Sequence, residues 1–192
     1  NKLGSVGKPL DGVEIKLLTS EADLNQGEIL TKGPHVMQGY YKRDDLTMEI
    51  IDSDGWLHTG DIGKIDKEGF LYITGRLKNL IVLGGGKKVH PEEVEEVLSR
   101  SIMVKEVCVL GVVSNKALKE NTEEVCAVIV PNENFKNKLE SIKNDINEFS
   151  QNLASYKRPV KLFFHLEDLP KTSTRKIKRL YVNDWIKLNK EN

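Results

Sequence analysis

The stretch GRLKNLIVLGGGKKVHPEEVE (residues 75–95) separates two parts of the sequence that differ in rhythm. Before it, short β-branched or aromatic runs are separated by Gly, Asp, Asn and Pro, which is typical of short strands joined by turns. After it, strand-like apolar runs alternate with helix-like amphipathic segments. We therefore predict an α+β fold in two parts, with a boundary close to residues 77 and 78.

The first part has the spacing of a small, strongly bent sheet or barrel. The turn-like DKEG (residues 66–69) predicts a hairpin between TGDIGKI and FLYITGR. Asp61 and Arg76 would then lie near the two open ends of that hairpin. A short helix is also predicted within residues 42–51.

The second part begins with a well-marked helix. Pro91 stands at an early helical position, and four glutamates follow in the first turns, where the helix dipole favours anions. We interpret these glutamates as a solvated face rather than a metal site. The further predicted elements are strands in EVCVLGVVS, EEVCAVIV and VKLFFHLE, and helices in KLESIKNDINEFSQNL and KIKRLYVNDWIKL.

The three consecutive glycines, Gly84, Gly85 and Gly86, match neither common nucleotide-binding pattern. A P-loop needs Gly-x-x-x-x-Gly-Lys-Ser/Thr, and a dinucleotide loop needs Gly-x-Gly-x-x-Gly. A tight hairpin turn explains them without a ligand. Close approach of the backbone to a ligand is the alternative, because a turn does not need three glycines.

Composition narrows the classes of function. The 192 residues carry 29 basic and 29 acidic side chains, so no overall positive charge favours nucleic acid. The apolar runs are too short to span a bilayer and no signal segment opens the chain, so we expect no transmembrane segment and a cytoplasmic location, with peripheral membrane attachment left open. Cys108 and Cys126 lie in apolar runs without a CxxC partner, which predicts buried free thiols.

Three ordered motifs resemble one enzyme family. They are GWLHTGDIG (55–63), GFLYITGRLKNLIVLGGGKKVHPEEVE (69–95) and LPKTSTRKIKR (169–179). Together they look like the C-terminal third of the adenylate-forming superfamily, which contains acyl-CoA synthetases, peptide-synthetase adenylation domains and firefly-type luciferases. The subgroup that they resemble most is the bacterial long-chain fatty acid-CoA ligases. The first residue, Asn1, is no initiator and fits a piece of a longer chain.

The resemblance implies a domain organisation and a reaction. Residues 1–77 would be the end of a small distorted β-barrel subdomain, and residues 78–192 a mobile C-terminal lid. The parent enzyme would use ATP and Mg²⁺ to activate a fatty acid and transfer it to CoA. The phosphate loop and most Mg²⁺ ligands would lie in the missing N-terminal domain, its partner within the same chain. The fragment alone is therefore expected to be inactive, and no metal ligand is expected here.

The resemblance also assigns residues to the nucleotide. Asp61 would accept hydrogen bonds from both ribose hydroxyls, a task for which an ionised carboxylate is suited. Arg76 would reach ribose and phosphate oxygens with its planar, charged fork. Ile73 would line the adenine side of the pocket, although an isoleucine in a strand is also typical of a core. Lys87 would lie near phosphate, with Lys88 as the alternative.

The remaining assignments concern catalysis and movement. Lys176 would be the catalytic lysine, whose ammonium bridges the substrate carboxylate and the α-phosphate. Arg175 departs from the family pattern, which has glycine before this lysine. Lys78 would be the hinge about which the lid moves between the two half-reactions. In the second half-reaction the thiol arm of CoA would pass the loop of Gly84, Gly85 and Gly86.

Two other readings of the sequence stay open. One is another adenylate-forming enzyme, such as an acyl-carrier-protein ligase or a peptide-synthetase adenylation domain. The other is a binding or regulatory module that kept the fold without catalysis. The acid pocket belongs to the missing domain, so the sequence specifies neither the acid nor its chain length.

Overall fold

The computed structural model describes residues 2–20, 23–113 and 122–189. The chain forms two compact units, Asn1–Lys78 and Asn79–Asn192. The boundary falls directly after Lys78, and the family roles of the two units remain predictions. No helix in the described ranges combines the length and apolar character needed to cross a membrane.

The first unit is built on an antiparallel sheet of four strands in the order β1-β2-β3-β4. The elements are β1 (Glu14–Ser20), β2 (Asp23–Lys32), α1 (Asp44–Ile50), β3 (Leu57–Ile65) and β4 (Leu71–Arg76). The predicted hairpin between β3 and β4 is confirmed. At its turn the Gly69 N–H donates to the Asp66 carbonyl at 2.9 Å, and Gly69 has φ +84°, a conformation that glycine adopts without a steric penalty.

Of the two predicted forms, a strongly bent sheet or a barrel, the described residues of this unit form the sheet. Its outer strands β1 and β4 do not pair with each other, and the sheet stays open. A single bridge between Gly7 and Leu71 covers part of the outer edge of β4. Closure requires enough tilted, staggered strands to surround a packed interior, and four short strands do not provide them.

The second unit follows the predicted alternation of strands and helices. Its elements are β5 (Ile81–Val82), β6 (Lys88–Val89), α2 (Pro91–Leu98), β7 (Val104–Val113), β8 (Glu123–Pro131), α3 (Leu139–Ser150), β9 (Lys161–Phe164) and α4 (Arg179–Asn189). Strand β8 pairs with β7 antiparallel and with β9 parallel. Helix α4 begins later than predicted, because a bridge between Lys171 and Ile177 holds the preceding residues in a loop.

The central sheet of the second unit is covered on both faces. Alternate residues of β7 and β8 pack with α2 and α3 on one face and with α4 on the other. Burial on both faces explains why the run VCAVIV in β8 is continuously apolar. Cys108 and Cys126 lie on the α4 side and are buried free thiols, as predicted. Burial raises the pKa of the Cys108 thiol to about 12, so this thiol is a packing group.

One part of the interpretation of helix α2 is wrong. Glu93 and Glu96 lie at the surface, but the Glu95 side chain is only 19% exposed. It accepts a hydrogen bond from the Val109 N–H at 2.7 Å and pairs with Arg179 at 2.8 Å. A carboxylate can be buried only when partners such as these replace its hydrogen bonds to water. The partners of Glu95 are distant in the sequence, so the helix pattern does not reveal them.

Candidate functional site

The first group of predicted site residues meets at the open end of the β3–β4 hairpin. Asp61 and Arg76 are directly opposite each other in the pairing register. The Arg76 Nε lies 2.8 Å from Asp61 Oδ1, with the two side chains 47% and 24% exposed. The site therefore presents a carboxylate and a guanidinium together at the surface, with free hydrogen-bonding capacity for a polar ligand.

A shift in strand register adds Ile73 to the same face. Asp61 pairs with Arg76 and Gly63 pairs with Ile73, so β4 holds one more residue than β3 across this interval. The inserted residue is Thr74, which accepts a hydrogen bond from Gln26 Nε2 at 2.6 Å and donates one to the Ile62 carbonyl at 3.2 Å. Such a β-bulge redirects the side chains that follow it.

The consequence of this bulge is an apolar surface beside the ion pair. Residues opposite each other in antiparallel strands share a face, and Asp61 and Gly63 are two apart on β3. Arg76, Asp61 and Ile73 therefore lie on one face. Ile73 is 51% exposed, so the alternative that it is a core residue is wrong. Its predicted role as an adenine contact remains a prediction.

The part of β3 that carries Asp61 is supported by a residue that sequence reasoning missed. Glu28, on β2, is only 10% exposed. Its carboxylate accepts a hydrogen bond from the Gly60 N–H at 3.0 Å and lies 3.1 Å from His58 Nδ1. The signal was an acidic residue in the otherwise apolar run GEIL, since a buried carboxylate needs partners.

The three glycines form the predicted hairpin turn between β5 and β6. The Leu83 N–H donates to the Lys87 carbonyl at 2.9 Å, and the Gly86 N–H donates to the Leu83 carbonyl at 3.0 Å. Gly85 and Gly86 have φ of +85° and +80°. A Cβ on Gly84 would lie 3.1 Å from Thr122 Cγ2. Backbone conformation and this close contact account for all three glycines, and their role toward a thiol remains a prediction.

Two lysines follow this turn, and both are exposed. The Lys87 ammonium lies 4.7 Å from the centre of the Tyr156 ring. Lys88 belongs to β6 and pairs with Val82. Lys87 is thus placed at the turn itself, beside an aromatic ring, and its assignment to phosphate stays a prediction.

Lys176 lies in an exposed loop before α4. The Thr172 N–H donates to the Lys176 carbonyl at 2.8 Å, and the Lys176 N–H lies 3.2 Å from Thr172 Oγ1. Arg175 has φ +62°, the left-handed region that glycine adopts most easily. The loop therefore keeps a glycine-type conformation although arginine occupies the position.

The Lys176 ammonium is available for a ligand. Within the ranges that the structure describes, no carboxylate forms an ion pair with it. An unneutralised cation on a short, hydrogen-bonded loop suits electrostatic stabilisation of an anionic centre. Lys78 is also exposed and lies in a single helical turn, Leu77–Asn79.

The described residues hold no cluster of His, Cys, Asp and Glu side chains that could bind a metal ion.

Comparisons with known proteins agree on one superfamily. Residues 93–176 match the AMP-binding enzyme C-terminal domain. The chain is 39% identical over 185 residues to a 2-succinylbenzoate–CoA ligase of Bacillus cereus, a match that covers 93% of this chain and 35% of that protein.

Two solved structures are similar over nearly the whole chain. The o-succinylbenzoate CoA synthetase of Bacillus subtilis, in complex with its acyl-adenylate intermediate, gives a TM-score of 0.78 at 34% identity and covers 95% of this chain and 36% of that chain. The Mycobacterium tuberculosis fatty acyl CoA synthetase gives 0.62 at 31% identity, with 98% and 36% covered.

These matches identify the superfamily of the chain but do not identify its subgroup. The chain spans about a third of the length of the curated relatives it matches, 35% for the Bacillus cereus ligase. That relative acts on 2-succinylbenzoate, so it does not support the expected long-chain fatty acid subgroup. The chain belongs to the adenylate-forming, AMP-binding superfamily and corresponds to the C-terminal region of its enzymes.

Proposed function

We propose that this chain is the C-terminal part of an ATP-dependent acid–CoA ligase. The observation that carries the proposal is the single exposed face formed by Asp61, Arg76 and Ile73. This face presents a carboxylate that can accept hydrogen bonds from a ribose, a guanidinium that can bind a phosphate, and an apolar side chain that can contact a purine ring. The similarity to CoA ligases supports the same assignment.

In the first half-reaction, a carboxylate oxygen of the acid attacks the α-phosphorus of ATP. The bond from that phosphorus to the bridging oxygen breaks, and pyrophosphate leaves with the bonding electrons. Asp61 would hold the ribose while Arg76 and Lys87 contact phosphate oxygens. Lys176 would place its ammonium between the incoming carboxylate and the α-phosphate, where negative charge accumulates.

In the second half-reaction, the sulfur of CoA attacks the acyl carbon of the adenylate. The thiol proton is released, the bond between the acyl carbon and the phosphate oxygen breaks, and AMP leaves. The turn of Gly84, Gly85 and Gly86 would border the path of the thiol arm, because it presents backbone without side chains. Lys78 would act as the hinge between the two states. Mg²⁺ would neutralise phosphate charge, held by residues outside this chain.

The acid is a narrower part of the proposal. The similarity to 2-succinylbenzoate–CoA ligase favours an aromatic dicarboxylic acid of that kind. A long-chain fatty acid is the second candidate, and the similarity to the Mycobacterium tuberculosis fatty acyl CoA synthetase supports it.

The test uses the full-length protein that contains this segment. ATP–pyrophosphate exchange would be measured with 2-succinylbenzoate and with palmitate, followed by thioester formation with CoA or with acyl carrier protein. We expect exchange with 2-succinylbenzoate and transfer to CoA. Exchange with palmitate alone would favour the second candidate. Absence of exchange with a broad panel of carboxylic acids would contradict the ligase assignment and favour a non-catalytic module.

A further inference from the structure

The two stems of the Lys176 loop are both tied to strand β7. Strand β7 is the outer strand of its sheet and pairs only with β8 among the described strands. The loop runs from Leu169 to Lys178, and its stems are joined where the Lys178 N–H donates to the Pro170 carbonyl at 2.8 Å. The position of Lys176 therefore depends on how these stems are held.

The C-terminal stem is held by Arg179 and Glu95, which we call the edge clip. Arg179 Nη1 donates to the Val109 carbonyl at 2.6 Å, and Arg179 Nη2 donates to Glu95 Oε2 at 2.8 Å. Glu95 Oε1 accepts from the Val109 N–H at 2.7 Å. The clip thus satisfies both backbone groups of one residue on the open edge of β7, and it fixes the residue three positions after Lys176.

The N-terminal stem is held by Glu106, which belongs to β7 itself. Its side chain is only 8% exposed. Glu106 Oε2 accepts from the Leu169 N–H at 2.9 Å, and Glu106 Oε1 pairs with the Lys171 ammonium. Leu169 is 2% exposed and packs in the core beneath α4. Anchors on both sides of Lys176 therefore end on the same strand.

The edge clip is expected to contribute little to the net stability of the fold. Its two side chains are only 19% and 22% exposed, so both charges have lost much of their hydration. Burial raises the pKa of the Glu95 carboxyl, and the nearby Arg179 guanidinium opposes that rise. A partly buried ion pair often contributes little net stability, while its directional hydrogen bonds define one geometry. Fixing geometry is thus the use that fits it best.

We propose that Arg179, with Glu95 and Glu106, positions the Lys176 loop for adenylate formation. This inference rests on the proposed function. None of the three residues needs to touch the substrate, so they are positioning residues. A displacement of about 1 Å in a catalytic group can lower the rate roughly a hundredfold. Anchors that hold Lys176 in position would therefore have a large effect on the rate of adenylate formation.

The first test measures the loop itself and uses this chain. In Arg179→Met, amide hydrogen exchange of Thr172 and Lys178 should become faster by about tenfold or more, because the loop opens more often. The Val128 amide in the core should keep its protection. Lys187→Met is the matched control, since Lys187 also lies on α4 and forms an exposed ion pair with Asp184 at 3.1 Å. Unchanged exchange at both loop amides would overturn the inference.

The second test measures the two half-reactions in the full-length protein. Arg179→Met should lower pyrophosphate release by roughly tenfold to a hundredfold and leave thioester formation from supplied acyl-adenylate unchanged. Arg179→Lys should recover part of the loss, because an ammonium keeps the charge but lacks the fork that serves two acceptors. Equal loss in both half-reactions would indicate a merely structural role and overturn the inference.

Two further variants distinguish failure of the proposed function from failure of the positioning role. If the unmodified full-length protein releases no pyrophosphate with any acid tested, the proposed function itself is wrong. If it does release pyrophosphate and Lys176→Ala leaves the rate unchanged, the catalytic role of Lys176 is wrong, and the positioning role falls with it. If Lys176→Ala is impaired and folded Arg179→Met is not, only the positioning role is wrong. Should Arg179→Met fail to fold, Lys171→Met decides, because it removes only the ion pair between Lys171 and Glu106 and leaves the hydrogen bond between Glu106 and the Leu169 N–H. It should slow pyrophosphate release severalfold with normal thioester formation, and normal rates in both would overturn the inference.

Discussion

Arg175 holds a backbone conformation that an arginine adopts only at a cost. Its φ of +62° brings Cβ close to the following carbonyl, which costs roughly 1–2 kcal/mol for a residue with a side chain. Glycine avoids that cost but loses about 0.5–1 kcal/mol of conformational entropy on folding. The loop conformation is thus retained by its hydrogen bonds and stems rather than by the local preference of this residue.

We expect the order of stabilities among Arg175 variants to reveal this conformation. Arg175→Gly should unfold at a urea concentration equal to or above that of the parent chain, and Arg175→Val should be about 1–2 kcal/mol less stable than Arg175→Gly. Lys178 provides the control, because it is exposed in the same loop and its φ is not positive. At position 178 the order of stabilities should reverse, and Lys178→Val should be more stable than Lys178→Gly. The same order at both positions would contradict the strained conformation.

Asp61 is the residue on which the nucleotide assignment depends most. In the full-length protein, Asp61→Ala should weaken ATP binding roughly tenfold to a hundredfold, since a charge-assisted hydrogen bond contributes about 1.5–3 kcal/mol. Calorimetric titration with ATP measures the change. Asp54→Ala, at an exposed turn position of the same unit, should bind ATP as the parent does. Equal affinity in all three proteins would remove Asp61 from the site.

At the scale of the elements, the β3–β4 bulge decides what the first unit can bind. Strict alternation along LYITGR would place Ile73 and Arg76 on opposite faces, because they are three residues apart. The extra residue Thr74 brings them to one face. The bonds that hold Thr74 come from Gln26 on β2 and reach Ile62 on β3, so three strands take part in shaping one binding face.

Removing the Thr74 hydroxyl should loosen this bulge. Thr74→Val keeps the shape of the side chain and loses both hydrogen bonds, so the free energy of unfolding should fall by about 1–2 kcal/mol. Chemical denaturation followed by circular dichroism measures the loss. Thr19→Val makes the same change at an exposed position of β1 and should stay within about 0.5 kcal/mol of the parent. A comparable loss in both variants would mean that the bulge has no special dependence on Thr74.

The sequence predicts the elements well because their signals are local. The hairpin at DKEG, the start of α2 at Pro91 and the glycine turn follow from residues within a few positions of one another. The open sheet, the bulge and the burial of Glu95 depend on distant partners. Glu95 and Arg179 are 84 residues apart in the sequence, so helix periodicity alone assigned that glutamate to solvent.

For the whole molecule, the proposed chemistry is divided between the two compact units. The first unit holds Asp61, Ile73 and Arg76, and the second holds the glycine turn and Lys176. The chain covers only 35% of the Bacillus cereus ligase. We therefore expect the 192-residue chain alone to show no ATP–pyrophosphate exchange. Robust exchange by the purified chain would contradict the proposal that it is one part of a larger catalytic unit.

The division between half-reactions provides the test at this scale. In the full-length protein, Lys176→Ala should lower pyrophosphate release by at least roughly a hundredfold, while supplied acyl-adenylate and CoA still give thioester at a near-normal rate. Gly85→Leu should do the reverse, because its side chain would project where the thiol arm is proposed to pass.

Gly69→Leu is the control for Gly85→Leu. It distinguishes blocking of the thiol path by the new side chain from strain in the backbone. Gly69 and Gly85 have nearly equal φ, +84° and +85°, and neither would bring a Cβ within 4 Å of another residue. Both leucine variants should therefore lose similar stability, and only Gly85→Leu should lose thioester formation. If the two variants behave alike, strain alone explains the result and the glycine turn has no role in transfer. If Lys176→Ala and Gly85→Leu each slow both half-reactions equally while folded, the assignment of one step to each loop is wrong.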